Sequence, residues 1–371
     1  MFVGKITNAM NVASNKNNFF SLQIMKWQVN SNKRIMPWTE EKDTYKIWIS
    51  EIVLQQTRVE QGIGYYIKIV KRFPTLQVLA EASEESLFKV WEGLGYYSRA
   101  RNLLKTARHV YFQLQGKFPD SYEGLLLLKG IGPYTAAAIS SFAYNLPHAV
   151  VDGNVFRVLS RFFGESLPID STNGKKYFTV LANQLIDKKN PAVYNQAIMD
   201  FGATVCKPQI PCCQECFLQK KCYAFAYGLI NKLPVKEKFL IKKKRYFTYF
   251  IFSVKQTIMI VKRTNKDIWE GLYEFYLYES AKPQKWKTSE LNEWLKQQMG
   301  IKNYSLEAIS KTYKQELTHQ TLEGVFVKIS LHELPHSLKR FSAVTPAGLR
   351  SIAFPKLINQ YLDNEFWLTT E

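Results

Sequence analysis

Four cysteines, Cys206, Cys213, Cys216 and Cys222, are spaced C-x6-C-x2-C-x5-C within GATVCKPQIPCCQECFLQKKC. Thiolates this close in sequence, in a loop stiffened by Pro208 and Pro211, can converge on one metal centre. A four-thiolate set suits either zinc or an iron–sulfur cluster, and the spacing leaves both open. Disulfides fit less well, because adjacent Cys212 makes the count odd and a basic chain of this kind points to a reducing compartment.

A length of 371 residues predicts two or three domains, and 46% hydrophobic residues are enough for real cores. The net charge of +19, with 14% aromatic residues, suits a surface that meets phosphates and unstacked bases. No apolar run approaches the roughly 18 residues needed to cross a bilayer, so no membrane partner is expected. Residues 1–26 lack a signal-peptide core and read as a tail, or as residues upstream of the true start.

From Asp43 to about Tyr227 apolar residues recur at helical spacing. Asp43 or Thr44 can cap the first helix, and Pro74 and Thr75 open the next. Residues 228–245 are strongly basic and read as an exposed linker. Beyond them, YFTYFIFSV, TIMIVKR, GLYEFYLYE and EGVFVKISL are strand-like, with helical stretches near Ser289–Gly300 and Ala347–Asn364. That pattern is an α+β domain of its own, over residues 246–371.

Three motifs in the helical part carry chemistry. In LKGIGPYTAAAIS (128–140), Gly130 and Gly132 permit a sharp turn and Pro133 can open a helix whose free N–H groups face an anion. This is the layout of a helix–hairpin–helix that holds DNA phosphate, with Thr135 in its first turn. In VVDGNVFRVLS, Asp152 stands where an N-cap is expected, its charge kept by helix dipole and amides. An ionised carboxylate is also what a developing sugar cation requires. In IWISEIVLQQTRV, Glu51 interrupts an apolar helix, where a raised pKa would suit a general acid. Gln55 and Gln56 follow, long enough to reach base edges.

The order of these motifs, with GLGYYSRARNL from Gly93 and the four cysteines, closely resembles the adenine DNA glycosylases of the MutY type, in the endonuclease III superfamily. The resemblance runs from about Trp27 to Tyr227 and more weakly to the C-terminus. It implies a mainly α, two-lobed helix–hairpin–helix glycosylase domain over 27–227, with an iron–sulfur loop at 206–222 carrying one 4Fe-4S cluster. It implies a Nudix-like α+β domain at 246–371 for lesion recognition. The substrate it implies is double-stranded DNA with A:8-oxoguanine or A:G mispairs, bound by a monomer in a bacterial cytoplasm, at the nucleoid. Glu51 would protonate the flipped adenine and Asp152 would stabilise the sugar cation, with Tyr134 and Asn154 orienting them. Trp38, Leu54 and Asp200 would belong to the base pocket, and Gln55, Gln56, Tyr96, Tyr97, Gly130, Gly132 and Thr135 to the DNA surface. Tyr96 and Tyr97 could equally be core packing. Tyr134 occupies the hairpin position that is lysine in strand-cutting relatives, so the monofunctional branch is expected.

Departures from the family pattern are Thr39 after Pro37-Trp38, where arginine is common, Phe156 for a lysine, and Asp200 for a glutamate. Leu317, Thr318 and His319 stand at the family's Phe-Ser-His lesion loop, with the aromatic lost. The C-terminal part has no Nudix hydrolase signature. Two other classes stay open: a related glycosylase or lyase acting on another mismatch or an oxidised pyrimidine, and a non-enzymatic iron–sulfur DNA-binding protein.

Overall fold

Sequence-local signals set most helix boundaries. Asp43 accepts from the Tyr45 amide to start the helix Thr44–Leu54, Ser83 caps Glu84–Trp91, and Ser121 caps Tyr122–Leu126. Gly132 and Pro133 open Pro133–Tyr144, which ends at Asn145 in the left-handed region. The computed structural model describes residues 2–237 and 241–366, with side chains from residue 16. The chain divides into two compact units, Met1–Glu81 with Asn102–Phe239, and Ala82–Arg101 with Leu240–Glu371.

The first unit is helical. Its core gathers Val155, Val158, Leu159 and Phe162 from Gly153–Phe163, Phe178 and Leu181 from Thr172–Leu185, and Ala197, Ile198 and Phe201 from Pro191–Thr204. The N-terminal expectation is corrected here. Residues 2–30 form one helix, and Phe20 and Ile24 are fully buried in that core. Phe20 packs on Phe162 at 4.8 Å between ring centroids, and Ser21 Oγ donates to Leu185 O at 2.5 Å. Asparagines and lysines between the apolar residues hid this stripe, which at positions 20, 24 and 27 has plain helical spacing.

Part of the basic linker is also tied down. Ile169 N–H donates to Val235 O at 3.0 Å and Glu237 N–H to Asp170 Oδ1 at 3.0 Å, and from Lys243 the chain is already strand. Residues 238–240 lie outside the described residues.

The second unit is a mixed eight-stranded sheet. Strands β1 (Lys243–Val254), β2 (Thr257–Lys262), β3 (Tyr273–Glu274), β4 (Tyr276–Ser280), β5 (Ser305–Ile309), β6 (Tyr313–Glu316), β7 (Gln320–Leu331) and β8 (Ser342–Val344) build it. β1 runs parallel to β7 along its whole length and antiparallel to β2 and β4. Both faces are covered, which is why β1 reads as a continuous apolar run. Phe247, Tyr249 and Ile251 point to one core with Leu357 and Ile358, while Phe250 and Phe252 point to another with Leu291 and Leu295 of the helix Thr288–Met299.

Ala82–Arg101 packs with this sheet although it interrupts the helical part in sequence. Leu87, Phe88 and Trp91 are buried, Lys262 reaches Glu84 and Glu85 at 3.1 and 2.8 Å, and Glu92 Oε1 accepts from Phe354 N–H at 2.9 Å. Gly271, at φ +87°, lets the backbone come against Phe88; a Cβ there would lie 2.7 Å from its ring. Among the described residues no helix is long and apolar enough to cross a membrane.

Candidate active site

Glu51 sits near the end of Thr44–Leu54 and is almost completely buried. Its Oε2 has no hydrogen-bond partner among the described residues. Burial pushes its carboxyl up to about 7; the Tyr134 hydroxyl pulls it back, and the charge of Asp152 adds to the rise. A carboxyl poised there is protonated in a large fraction of molecules at neutral pH, as a general acid requires. Tyr134, in the first turn of Pro133–Tyr144, is also held by the Met199 sulfur at 3.4 Å.

Asp152 caps Gly153–Phe163, its Oδ1 accepting from Asn154 N–H at 2.9 Å and Val155 N–H at 2.8 Å. Oδ2 accepts from Asn154 Nδ2 at 2.8 Å. Burial raises its pKa, against these bonds and the nearby Arg157, so amides and helix dipole do not act alone as the sequence suggested. The segment before it is pinned by Asn195, fully buried, which accepts from Val150 N–H at 3.1 Å and donates to His148 O at 2.8 Å.

A cavity of about 140 Å³ opens at Glu51, lined by Gln28, Trp38, Ile47, Ser50 and Gln196 among others. Trp38, expected in the base pocket, lines this cavity. Two expected pocket residues are not in the lining. Leu54 packs towards Gly62, where a Cβ would lie 2.7 Å from its Cδ2. Asp200 lies behind the wall, bound to Arg34 Nη1 at 2.8 Å, Asn32 Nδ2 at 3.0 Å and Gln196 Nε2 at 2.9 Å. Arg34, Asn32 and Gln196 together satisfy its carboxylate where it stands.

Gly130 adopts φ +83° and approaches Asn102, where a Cβ would be 2.8 Å away; Gly132 faces open space. Thr135 is buried and accepts from Gln55 Nε2 at 3.2 Å, which ties Thr44–Leu54 to the hairpin helix. Gln56 is exposed at φ +55°, a strained conformation for a non-glycine residue.

Cys206, Cys212, Cys213, Cys216 and Cys222 line one cavity. Among the described residues no three His, Cys, Asp or Glu side chains are placed to hold a single metal ion. Burial pushes the Cys216 thiol up to about 12, and the charges of Cys206, Cys222 and Cys213 add to the rise. Four thiolates here need a multiply charged cationic centre to balance them. Arg161 lies against Cys206 Sγ at 3.5 Å and donates to Lys207 O at 2.8 Å; Arg157 donates to Cys206 O at 2.7 Å.

In the second unit, a cavity of about 510 Å³ is lined by Gly93–Ser98, Arg101, Trp269, Lys356 and Gln315–Gln320. Leu317, Thr318 and His319 form the turn between β6 and β7, closed by Leu317 N–H to Gln320 O at 2.8 Å. Tyr96 and Thr318 share a short hydroxyl–hydroxyl hydrogen bond. Tyr97 is buried on Phe88 at 5.4 Å, so of the two tyrosines only Tyr96, 40% exposed, offers its ring to solvent.

Residues 49–174 match the HhH-GPD superfamily of base excision DNA repair proteins, and residues 248–364 match the NUDIX domain. The chain is 35% identical over 310 residues to an adenine DNA glycosylase of Buchnera aphidicola subsp. Baizongia pistaciae, covering 82% of this chain and 84% of that protein. The chain belongs to the adenine DNA glycosylases. It is also 42% identical over 227 residues to the Mus musculus member, covering 58% of this chain and 44% of that one. A solved thermostable thymine-DNA glycosylase superposes with a TM-score of 0.54 at 29% identity, covering 58% of this chain and 99% of that one. Within this adenine DNA glycosylase, sequence reading missed Arg157, Asn195, Gln28 and Gln196. Arg157, buried on a helix that starts at a carboxylate, was the one with a visible signal.

Proposed function

We propose that the protein removes adenine mispaired with 8-oxoguanine or guanine in double-stranded DNA, by hydrolysis of the N-glycosidic bond. Glu51 carries this reading, as a buried carboxyl with one unpartnered oxygen at the wall of a cavity. The flipped adenine enters that cavity, and protonated Glu51 donates to N7 so that the base leaves as a neutral species. Asp152, held by two amides and Asn154, faces the positive charge that develops on the sugar. Deprotonated Glu51 then takes a proton from the attacking water. No amine stands at Tyr134 to form a Schiff base, so the product is an intact abasic strand.

Cys206, Cys213, Cys216 and Cys222 would hold a 4Fe-4S cluster, a group that four thiols lining one cavity can ligate. Bound there, the cluster supplies the charge that keeps four thiolates together and so fixes the loop. Thr318 and His319 would offer donors to the guanine lesion. A single-turnover panel on A:8-oxoguanine, A:G, T:G and thymine-glycol duplexes tests the reading. Excision confined to adenine, with strand breaks only after alkali, is the expected result; preferred excision of thymine or thymine glycol, or strand cleavage at neutral pH, would overturn it.

A further inference from the structure

The polar wall behind the base cavity has a fixed direction. Asp200 is paired with Arg34 and, as a carboxylate, can only accept, so both amides that touch it must present nitrogen. Gln196 therefore gives Nε2 to Asp200 Oδ2 at 2.9 Å, and its Oε1 has no partner among the described residues. Asn32 gives Nδ2 to the same oxygen at 3.0 Å, while its Oδ1 accepts the Arg34 amide at 3.1 Å. With Asn32 locked this way, its Nδ2 also meets Gln28 Oε1 at 2.7 Å. That commits the Gln28 oxygen and leaves its NH₂ group as the free end. Gln28 and Gln196 both line the cavity that contains Glu51.

We infer that Gln28, set by Asn32 and Asp200, is a specificity-determining residue that donates to N1 of the flipped adenine while Gln196 accepts from its 6-amino group. The inference rests on the adenine reading above. A 6-aminopurine presents a donor at C6 beside an acceptor at N1, which matches an acceptor and a donor held in this order. A 6-oxopurine presents the reverse, an acceptor beside N1–H, and meets two mismatched amides at once. Glu51, Gln28 and Gln196 line the same cavity, so a base that gives N7 to Glu51 has its 6-amino group and N1 left for the two amides. Asp200 acts only through the two amides and is a positioning residue.

A chemical double-mutant cycle tests the contact in the full-length protein. Single-turnover excision is measured for adenine and 1-deazaadenine, which has C–H in place of N1, by wild type and Gln28→Met. Replacing N1 should slow wild type roughly threefold to tenfold more than it slows Gln28→Met, the range of one hydrogen bond. Because each comparison is made within one variant, partial loss of folded protein cancels. Equal penalties in the two proteins would overturn the contact. Asn32→Ala keeps Gln28 but frees its amide to turn, so the rate ratio of adenine to hypoxanthine should narrow; an unchanged ratio would overturn the positioning role. Failure of wild type to release adenine at all would instead defeat the functional reading.

Discussion

Asn154 joins Asp152 to Arg157: its Nδ2 donates to Asp152 Oδ2 at 2.8 Å and its Oδ1 accepts from Arg157 Nη2 at 2.8 Å. Arg157 in turn holds Gly202 O at 2.8 Å and Cys206 O at 2.7 Å, so the carboxylate is oriented from the start of the cysteine loop. Asn154→Ala should therefore lower the excision rate by about tenfold or more, the order expected when a charge-assisted bond to a catalytic carboxylate is removed. Affinity for the duplex should stay within a few-fold. Single-turnover rates and a binding titration check this, and parallel losses in both would show that Asn154 only holds the fold.

Glu51 should make activity fall as pH rises. Its carboxyl, raised by burial to about 7, acts in the protonated form, which is lost above that value. The alkaline limb of the single-turnover rate should therefore bend near pH 7, and Glu51→Gln should abolish excision, since general-acid catalysis is typically worth roughly 10²–10⁴. Stability carries the same sign. The folded state binds this proton more tightly than the unfolded chain, so stability is highest below the ordinary glutamate range and declines as pH climbs towards 7. A shift from 4.5 to about 7 corresponds to roughly 3 kcal/mol. Glu51→Gln should thus melt higher than wild type at pH 8 and no higher near pH 4. A variant that melts lower at pH 8 would contradict the burial of this carboxyl with one oxygen left unpartnered.

What the sequence shows of this site depends on whether the signal is local. Asp43, Gly132-Pro133 and Asp152 are caps, fixed by residues within one turn, and they stand where the sequence puts them. Glu51 is legible because it breaks an apolar run. Asp200 shows the opposite case. Its partner Arg34 is 166 positions away, so no window of sequence could show this ion pair. Ala82–Arg101 has the helical period expected of its neighbours, and only tertiary packing of Leu87, Phe88 and Trp91 assigns it to the sheet. Strand β5 has all its residues exposed, so it carries none of the alternation by which strands are found.

The purified protein should be yellow-brown, with about four irons per chain and little zinc. Cys216→Ser should lose the iron. Cys212→Ser should keep it, although Cys212 lines the same cavity, because the four-ligand set is complete without it. Iron analysis with absorption spectra separates the two, and equal iron loss in both would make Cys212 a ligand.

The turn Leu317–His319 should set the preference for 8-oxoguanine. Leu317 packs against the core below, leaving Thr318 and His319 exposed at the rim of the wide cavity beside Tyr96. The hydroxyl of Thr318 is engaged with that of Tyr96, so the two loops act as one surface. His319→Ala should reduce the rate ratio of A:8-oxoguanine to A:G by about threefold to tenfold, the range of one hydrogen bond. Tyr96→Phe removes the hydroxyl but keeps the ring, and should cost a similar factor if Thr318 must be oriented to donate. The double variant should lose less than the product of the two, since both act on the same turn. Truncation at Gly228 is a poor substitute for these variants. It would strip the sheet from Leu87, Phe88 and Trp91, and the loss of that cover should make the fragment aggregate. Ratios unchanged in both point variants would show that this turn does not read the lesion.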